Sequence, residues 1–172
     1  MKWINHIAIA TAISAAVDPV LVPGAALGAT APDWLEWIIA PFHNVKHRGV
    51  THYLVTWASA VFFFSLIWDF RSIGLAFSVG GLFHILTDAM TISGVPMGPW
   101  SDRKFYLFGG KLKTGQPGEY MCSGVVIMIC AIFVMNKPNS ASFIPFFYNW
   151  GGLYEEGIID ANEWKTNRFK FI

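Results

Sequence analysis

The sequence predicts an all-α integral membrane protein, a bundle of about five apolar helical segments with a polar site at one membrane face. Composition is the first reason. Of its 172 residues 54% are hydrophobic and only 13% charged, with 15 Phe and 8 Trp, whereas soluble domains carry about 25% charged residues. The second reason is patterning, because the apolar residues fall into five runs broken by Pro, Gly or charge. The third is that the histidines and several aspartates stand at the ends of these runs.

The first run, "WINHIAIATAISAAV" (3–17), stops at Asp18-Pro19, and the second, "VLVPGAALGATA" (20–31), stops at Pro32-Asp33. At 1.5 Å per residue neither reaches across ~30 Å of hydrocarbon, so both are short or tilted, or form a shallow helical hairpin. The small residues of the second run suit close helix packing. His6 and Asp18 are poor signal-peptide features, and the first run reads as a mature structural helix. The third run (53–68), the fourth (73–90) and the fifth (120–135) approach the ~20 residues a bilayer core requires. Residues 1–137 form the expected membrane-embedded unit. Residues 138–172 form a polar and aromatic tail, in which "FIPFFYNW" has the character of an interfacial anchor.

Charge and cysteine content exclude several classes. A net charge of +1 gives no basic field, so no nucleic-acid partner is expected. Cys122 and Cys130, eight apart in one apolar run, neither pair within a helix nor make a zinc signature.

If the first two runs go out and back, His6 and Asp33 share a side. His47 and His52 precede the third run, and His84 and Asp88 end the returning fourth, so all six meet near one membrane face. Ionisable groups beside apolar helices are costly and are kept for function or paired with one another. His84 and Asp88 lie four apart, one turn along a helix face, and imidazole plus carboxylate is a ligand set for zinc and related divalent ions. The same pair also suits a hydrogen-bonded stabiliser of a helix bundle. In "HRGVTH" (47–52) Gly49 allows a turn and Thr51 is a candidate N-cap, so His47 and His52 can approach one centre from different directions. Six ligands suffice for one metal, or for two sharing a carboxylate. Arg48 is placed to bind a phosphate, or to anchor at headgroups. His43 fits the pattern less cleanly. Lys2, Lys46, Arg48, Arg103, Lys104, Lys111 and Lys113 fall on the site side, against Arg71 and Lys137 opposite, which points the site to the cytoplasmic face.

"NHIAIA", "APDWLEW", "KHRGVTH", "LFHILTDAMTISGVPMGPW" and "KLKTGQPGEY", in that order, resemble the motifs of the YdjM-like family of bacterial inner-membrane proteins, labelled metal-dependent hydrolases. The resemblance covers roughly residues 5–120. It implies His6, Asp33, His47, His52, His84 and Asp88 as metal site, Thr91, Gly94 and Val95 as the following turn, and Glu119 as a late acid. A distant likeness to zinc-dependent phospholipase C implies Asp88 as a bridging ligand. Where the family often reads P-D-x-D, this chain reads Pro32-Asp33-Trp34-Leu35-Glu36, so Glu36 stands one turn on from the expected acid. The expectation is a membrane-bound hydrolase of a phosphoester or other ester, holding one or two zinc or manganese ions. Arg48 orients the substrate anion, and Glu36 or Glu119 serves as general acid or base. Its partners are the lipid bilayer and an amphiphilic or phosphorylated small substrate. The alternative is a membrane metal carrier or sensor without hydrolysis.

Overall fold

The structure is a computed structural model that describes residues 1–42, 49–67, 72–135, 154–155, 157 and 160–167. Its helices are α1 (Trp3–Val17), α2 (Val22–Gly28), α3 (Ala31–Ile39), α4 (Leu54–Leu66), α5 (Ile73–Ala89), α6 (Pro117–Met135) and α7 (Ala161–Asn167). One antiparallel hairpin, β1 (Val95–Gly98) and β2 (Ser101–Phe105), lies between α5 and α6. The fold is therefore mostly helical, and the hairpin corrects the all-α expectation. Gly94, at φ 61°, turns the chain out of the end of α5 and into β1, a conformation that costs glycine little.

The second apolar run is not one helix. α2 stops at Gly28, and a new helix starts at Ala31 with Pro32 in its first turn. Pro32 and Asp33 thus open α3 rather than end the run, because a first-turn N–H has no intrahelical acceptor and proline loses nothing there. Asp33 in that turn also complements the helix dipole.

α6 is the one helix among the described residues long and apolar enough to cross a membrane, with 19 residues and mean hydropathy 1.9. α4 and α5, at 13 and 17 residues, run about 20 and 26 Å, short of the ~30 Å expected of them. α4 ends because Ile67 is extended.

α1 packs on α2, α5 and α6, and α5 packs on α2 and α4. The α2–α5 crossing brings backbone against backbone. A Cβ on Gly28 would lie 1.9 Å from the Phe77 carbonyl oxygen, and one on Gly80 would lie 2.3 Å from that of Ala25. On the other side of α5, the Trp57 indole of α4 fills the space at Gly81. The core cluster of Ala31, Trp57, Ile85, Ala89 and Val95 closes beneath the end of α5 that carries His84 and Asp88.

Candidate metal centre

His84 lies on α5 opposite the end of α2. Because α2 stops at Gly28, the Ala29 carbonyl points out of the helix end, and His84 Nδ1 bonds it at 2.7 Å. A carbonyl only accepts, so Nδ1 carries a proton, and in the neutral ring Nε2 keeps its lone pair. His6 is fixed by the same logic through a hydroxyl. Thr87 donates back to the carbonyls of Phe83 (2.8 Å) and His84 (3.0 Å). Its oxygen therefore accepts from His6 Nδ1 at 2.7 Å, and in the neutral ring His6 Nε2 bears the lone pair.

Both Nε2 atoms are buried and lack a hydrogen-bond partner among the described residues. They face carboxylates instead. His6 Nε2 is 3.4 Å from Asp88 Oδ1, while His84 Nε2 is 3.8 Å from Asp33 Oδ1 and 3.9 Å from Asp88 Oδ2. The two rings stack at 3.8 Å between centroids. Lone pairs aimed at anionic oxygens in a dry interior repel one another unless a cation lies nearby. The Met1 ammonium offsets Asp88 Oδ1 in part, and Asp33 and Asp88 Oδ2 still face the His84 nitrogen. The donor set thus fits a divalent ion.

His52 completes the arrangement from a short 3₁₀ turn, Val50–His52. The Trp57 indole N–H donates to the Thr51 carbonyl at 2.7 Å and pins this turn to α4. The Glu36 carboxylate meets His52 Nδ1 at 2.9 Å, which leaves Nε2 toward Asp33 Oδ1 at 3.3 Å. A carboxylate behind a histidine is the usual outer partner of a metal-ligating imidazole. Two overlapping groups result, His6–His84–Asp88 and Asp33–His52–His84, each with its ligand atoms within 4.8 Å of one another. A tetrahedral ion with ~2.05 Å bonds would need ~3.3 Å between ligands, a modest contraction.

Burial separates the members. His6, His52 and His84 are each 1% exposed and Asp88 2%, whereas the Asp33 side chain keeps 23%. The Trp3 indole N–H donates to Asp33 Oδ2. Burial on its own would raise the Asp33 pKa. The His52 ring, the field of His84 and the Trp3 N–H outweigh it and hold the group at about 2, in the anionic form a metal requires.

The model of the YdjM inner membrane protein family matches residues 1–141. The chain belongs to this family. The match takes in α1 to α6 and all the candidate ligands, and membership makes the chain an inner-membrane protein. No curated protein and no solved structure matches it.

Five of the six expected ligands, His6, Asp33, His52, His84 and Asp88, converge. His47 and Arg48 lie outside the described residues, as does most of the tail. Thr51 does not cap α4, whose N-cap is Tyr53; its hydroxyl serves Glu36 (3.3 Å) and His52 (3.1 Å) instead. Glu36 stands behind His52, one residue away from the centre. Glu119 is fully buried and accepts from Lys2 N (2.5 Å), Asn5 Nδ2 (2.6 Å) and Gly115 N (2.5 Å). It ties the start of α1 to α6. The Met1 α-amino group in turn contacts Asp88 Oδ1. Asn5, Thr87, Trp3 and the Ala29 carbonyl escaped the sequence reading. Adjacency was the available signal for two of them, since Asn5 precedes His6 and Thr87 precedes Asp88.

Proposed function

We propose that this protein is a membrane-bound metal-dependent hydrolase that cleaves a phosphoester or other ester of a lipid-like substrate. One observation carries the reading: two buried imidazoles, each with its proton committed to Nδ1, direct Nε2 lone pairs at carboxylates. A bound zinc or manganese ion would supply Lewis acidity and lower the pKa of a water molecule there.

The chain's own groups divide the remaining work. Thr87 and the Ala29 carbonyl hold the His6 and His84 tautomers. Glu36 orients His52 and is a positioning residue. Asp33, the most exposed ligand, marks the side from which substrate approaches, past the Trp3 and Trp37 rings (centroids 5.6 Å apart). Glu119, saturated by three N–H donors, positions α1 and with it His6, and general acid–base work falls to water. Arg48, two residues before the Val50–His52 turn in sequence, is assigned to the substrate anion on sequence grounds. His84 spends Nδ1 on Ala29 and offers both ligand groups the same Nε2, which favours a single ion over a pair. His47 is a further candidate ligand.

In this reading α1, α4 and α5 are embedded beside α6, with the centre near the cytoplasmic headgroup plane, where amphiphilic esters are abundant. A carrier needs polar groups along the path. The buried ionisable side chains among the described residues, His6, His52, His84, Asp88 and Glu119, gather instead at one end of the helices.

The test is purified protein, loaded with zinc or manganese, assayed on phospholipid and on a chromogenic phosphodiester. Turnover that disappears in Asp33→Asn supports the hydrolase. Metal-dependent binding without turnover on any ester, with ion flux into vesicles that requires His84, would establish the carrier instead.

A further inference from the structure

The loop between β2 and α6, "YLFGGKLK" (106–113), contains a residue whose backbone strain is not explained by burial among the described residues. Phe108 is 75% exposed and has φ 50°. An aromatic side chain in the left-handed region is strained, and such strain persists where a function retains it. Gly109 and Gly110 follow at φ 74° and 60°, so the backbone turns sharply and leaves Phe108 at the tip. Here the strain does not serve burial.

The surroundings are cationic. Lys111 and Lys113 are exposed in the same loop. Lys2 lies just beyond it, with its Cε 3.5 Å from the position of a Cβ on Gly115 and its ammonium 5.8 Å from the centre of the Tyr120 ring. Asp102 is the only acid between residues 92 and 118. The place in the fold is equally specific. Four residues after Lys113 the chain enters α6, the helix suited to cross the bilayer. The loop is also pinned to the end of α5 that carries Asp88, by Leu107 N to Ala89 O (2.8 Å) and Leu112 N to Met90 O (3.0 Å).

We infer that the 106–113 loop is a docking surface for anionic phospholipid. Phe108 enters the headgroup–acyl boundary of the leaflet while Lys111, Lys113 and Lys2 bind headgroup phosphates. An exposed apolar tip ringed by ammonium groups at the mouth of a membrane helix matches that boundary in both polarity and charge. The contact would hold the Asp88 end of α5 at headgroup depth. The inference rests on membership of an inner-membrane family and on the loop, and does not depend on hydrolase activity.

A nitroxide on Phe108→Cys, in full-length protein with Cys122→Ala and Cys130→Ala, reports depth by electron paramagnetic resonance. The protein is placed in nanodiscs of phosphatidylcholine alone or of equal parts phosphatidylcholine and phosphatidylglycerol. The expected result is loss of access to an aqueous relaxing agent in the anionic discs, with access restored by Lys111→Gln/Lys113→Gln. A label in water in both discs would overturn the inference, and so would a label buried equally in both and indifferent to the lysines. A second variant separates a lipid contact from internal packing. Phe108→Gly removes the backbone strain and should raise thermal stability in neutral detergent, whereas lower stability would mean that Phe108 packs within the protein. Both readouts are blind to metal and turnover, so the two readings fail separately.

Discussion

The two halves of the centre are built differently. The inner half, His6, His84 and Asp88, sits on long helices, and every member is 1–2% exposed. Its imidazole protons are committed to a helix-end carbonyl and a threonine already bonded to its own helix. The outer half, Asp33 and His52, sits on a nine-residue helix and a three-residue turn, and is held by Glu36, Thr51 and Trp3. Rigid elements set ligand geometry, while short ones leave room for a molecule to enter. In the proposed reading the inner half would anchor the ion, and the outer half would meet the substrate.

Substitutions should separate these roles. Asp88→Asn in the inner half is expected to weaken metal binding by more than ~100-fold, beyond the ~10–100-fold that an outer partner costs. Competition with a chromogenic chelator measures it, and wild-type affinity in the folded variant would remove Asp88 from the centre. Asp33→Asn should lower turnover about 100-fold while the inner half still retains metal at reduced affinity. If metal and turnover fall in parallel, the two halves are not functionally distinct. Glu36→Gln keeps a weaker acceptor behind His52, and about 10-fold in metal affinity is expected.

Gly80→Ala drives a methyl group into the Ala25 carbonyl 2.3 Å away. It should separate α2 from α5 and carry Ala29 off His84, costing ~1–3 kcal/mol as overpacking does. The effect on metal affinity should follow the stability loss, which a thermal melt with and without zinc would show. The smallest effect is in pH. The Asp33 carboxyl lies at about 2 in the folded protein against 3.8 ordinarily, a depressed pKa. Its stabilising contribution is full above pH 3.8 and is lost as pH falls toward 2. In an acid titration of metal-free protein, Asp33→Asn should flatten this part of the stability profile and leave the profile above it unchanged.

Much of the inner half was legible in the sequence because helical spacing fixes it. His84 and Asp88, four apart in an uninterrupted apolar run, share a face wherever the helix goes, and His6 near the start of the first run meets them once that run packs on α5. Asp33 was legible by position but not by structure. Pro32 reads as a stop after a run of small residues, and only the broken α2–α3 path shows it as a start. The hairpin was hidden because "TISGVPMGPWSDRKF" carries Pro96 and Gly98 within β1, and its pairing shifts register between them. The tautomer locks were hidden for another reason. Ala29 contributes a backbone carbonyl, which no residue identity records, and Thr87 acts through a hydroxyl that any helix could direct at itself. Glu119 was recognised as an acid, yet its use as an N–H acceptor depends on where α1 starts against α6.

The most direct measurement is elemental mass spectrometry of the detergent-purified protein beside His84→Ala/Asp88→Ala, each incubated with zinc and with manganese and then desalted. About one equivalent of divalent metal per chain is predicted for the wild type, as a single shared Nε2 requires, and none for the double variant. A well-folded wild type that retains no metal, or a double variant that retains as much, would contradict the metal centre.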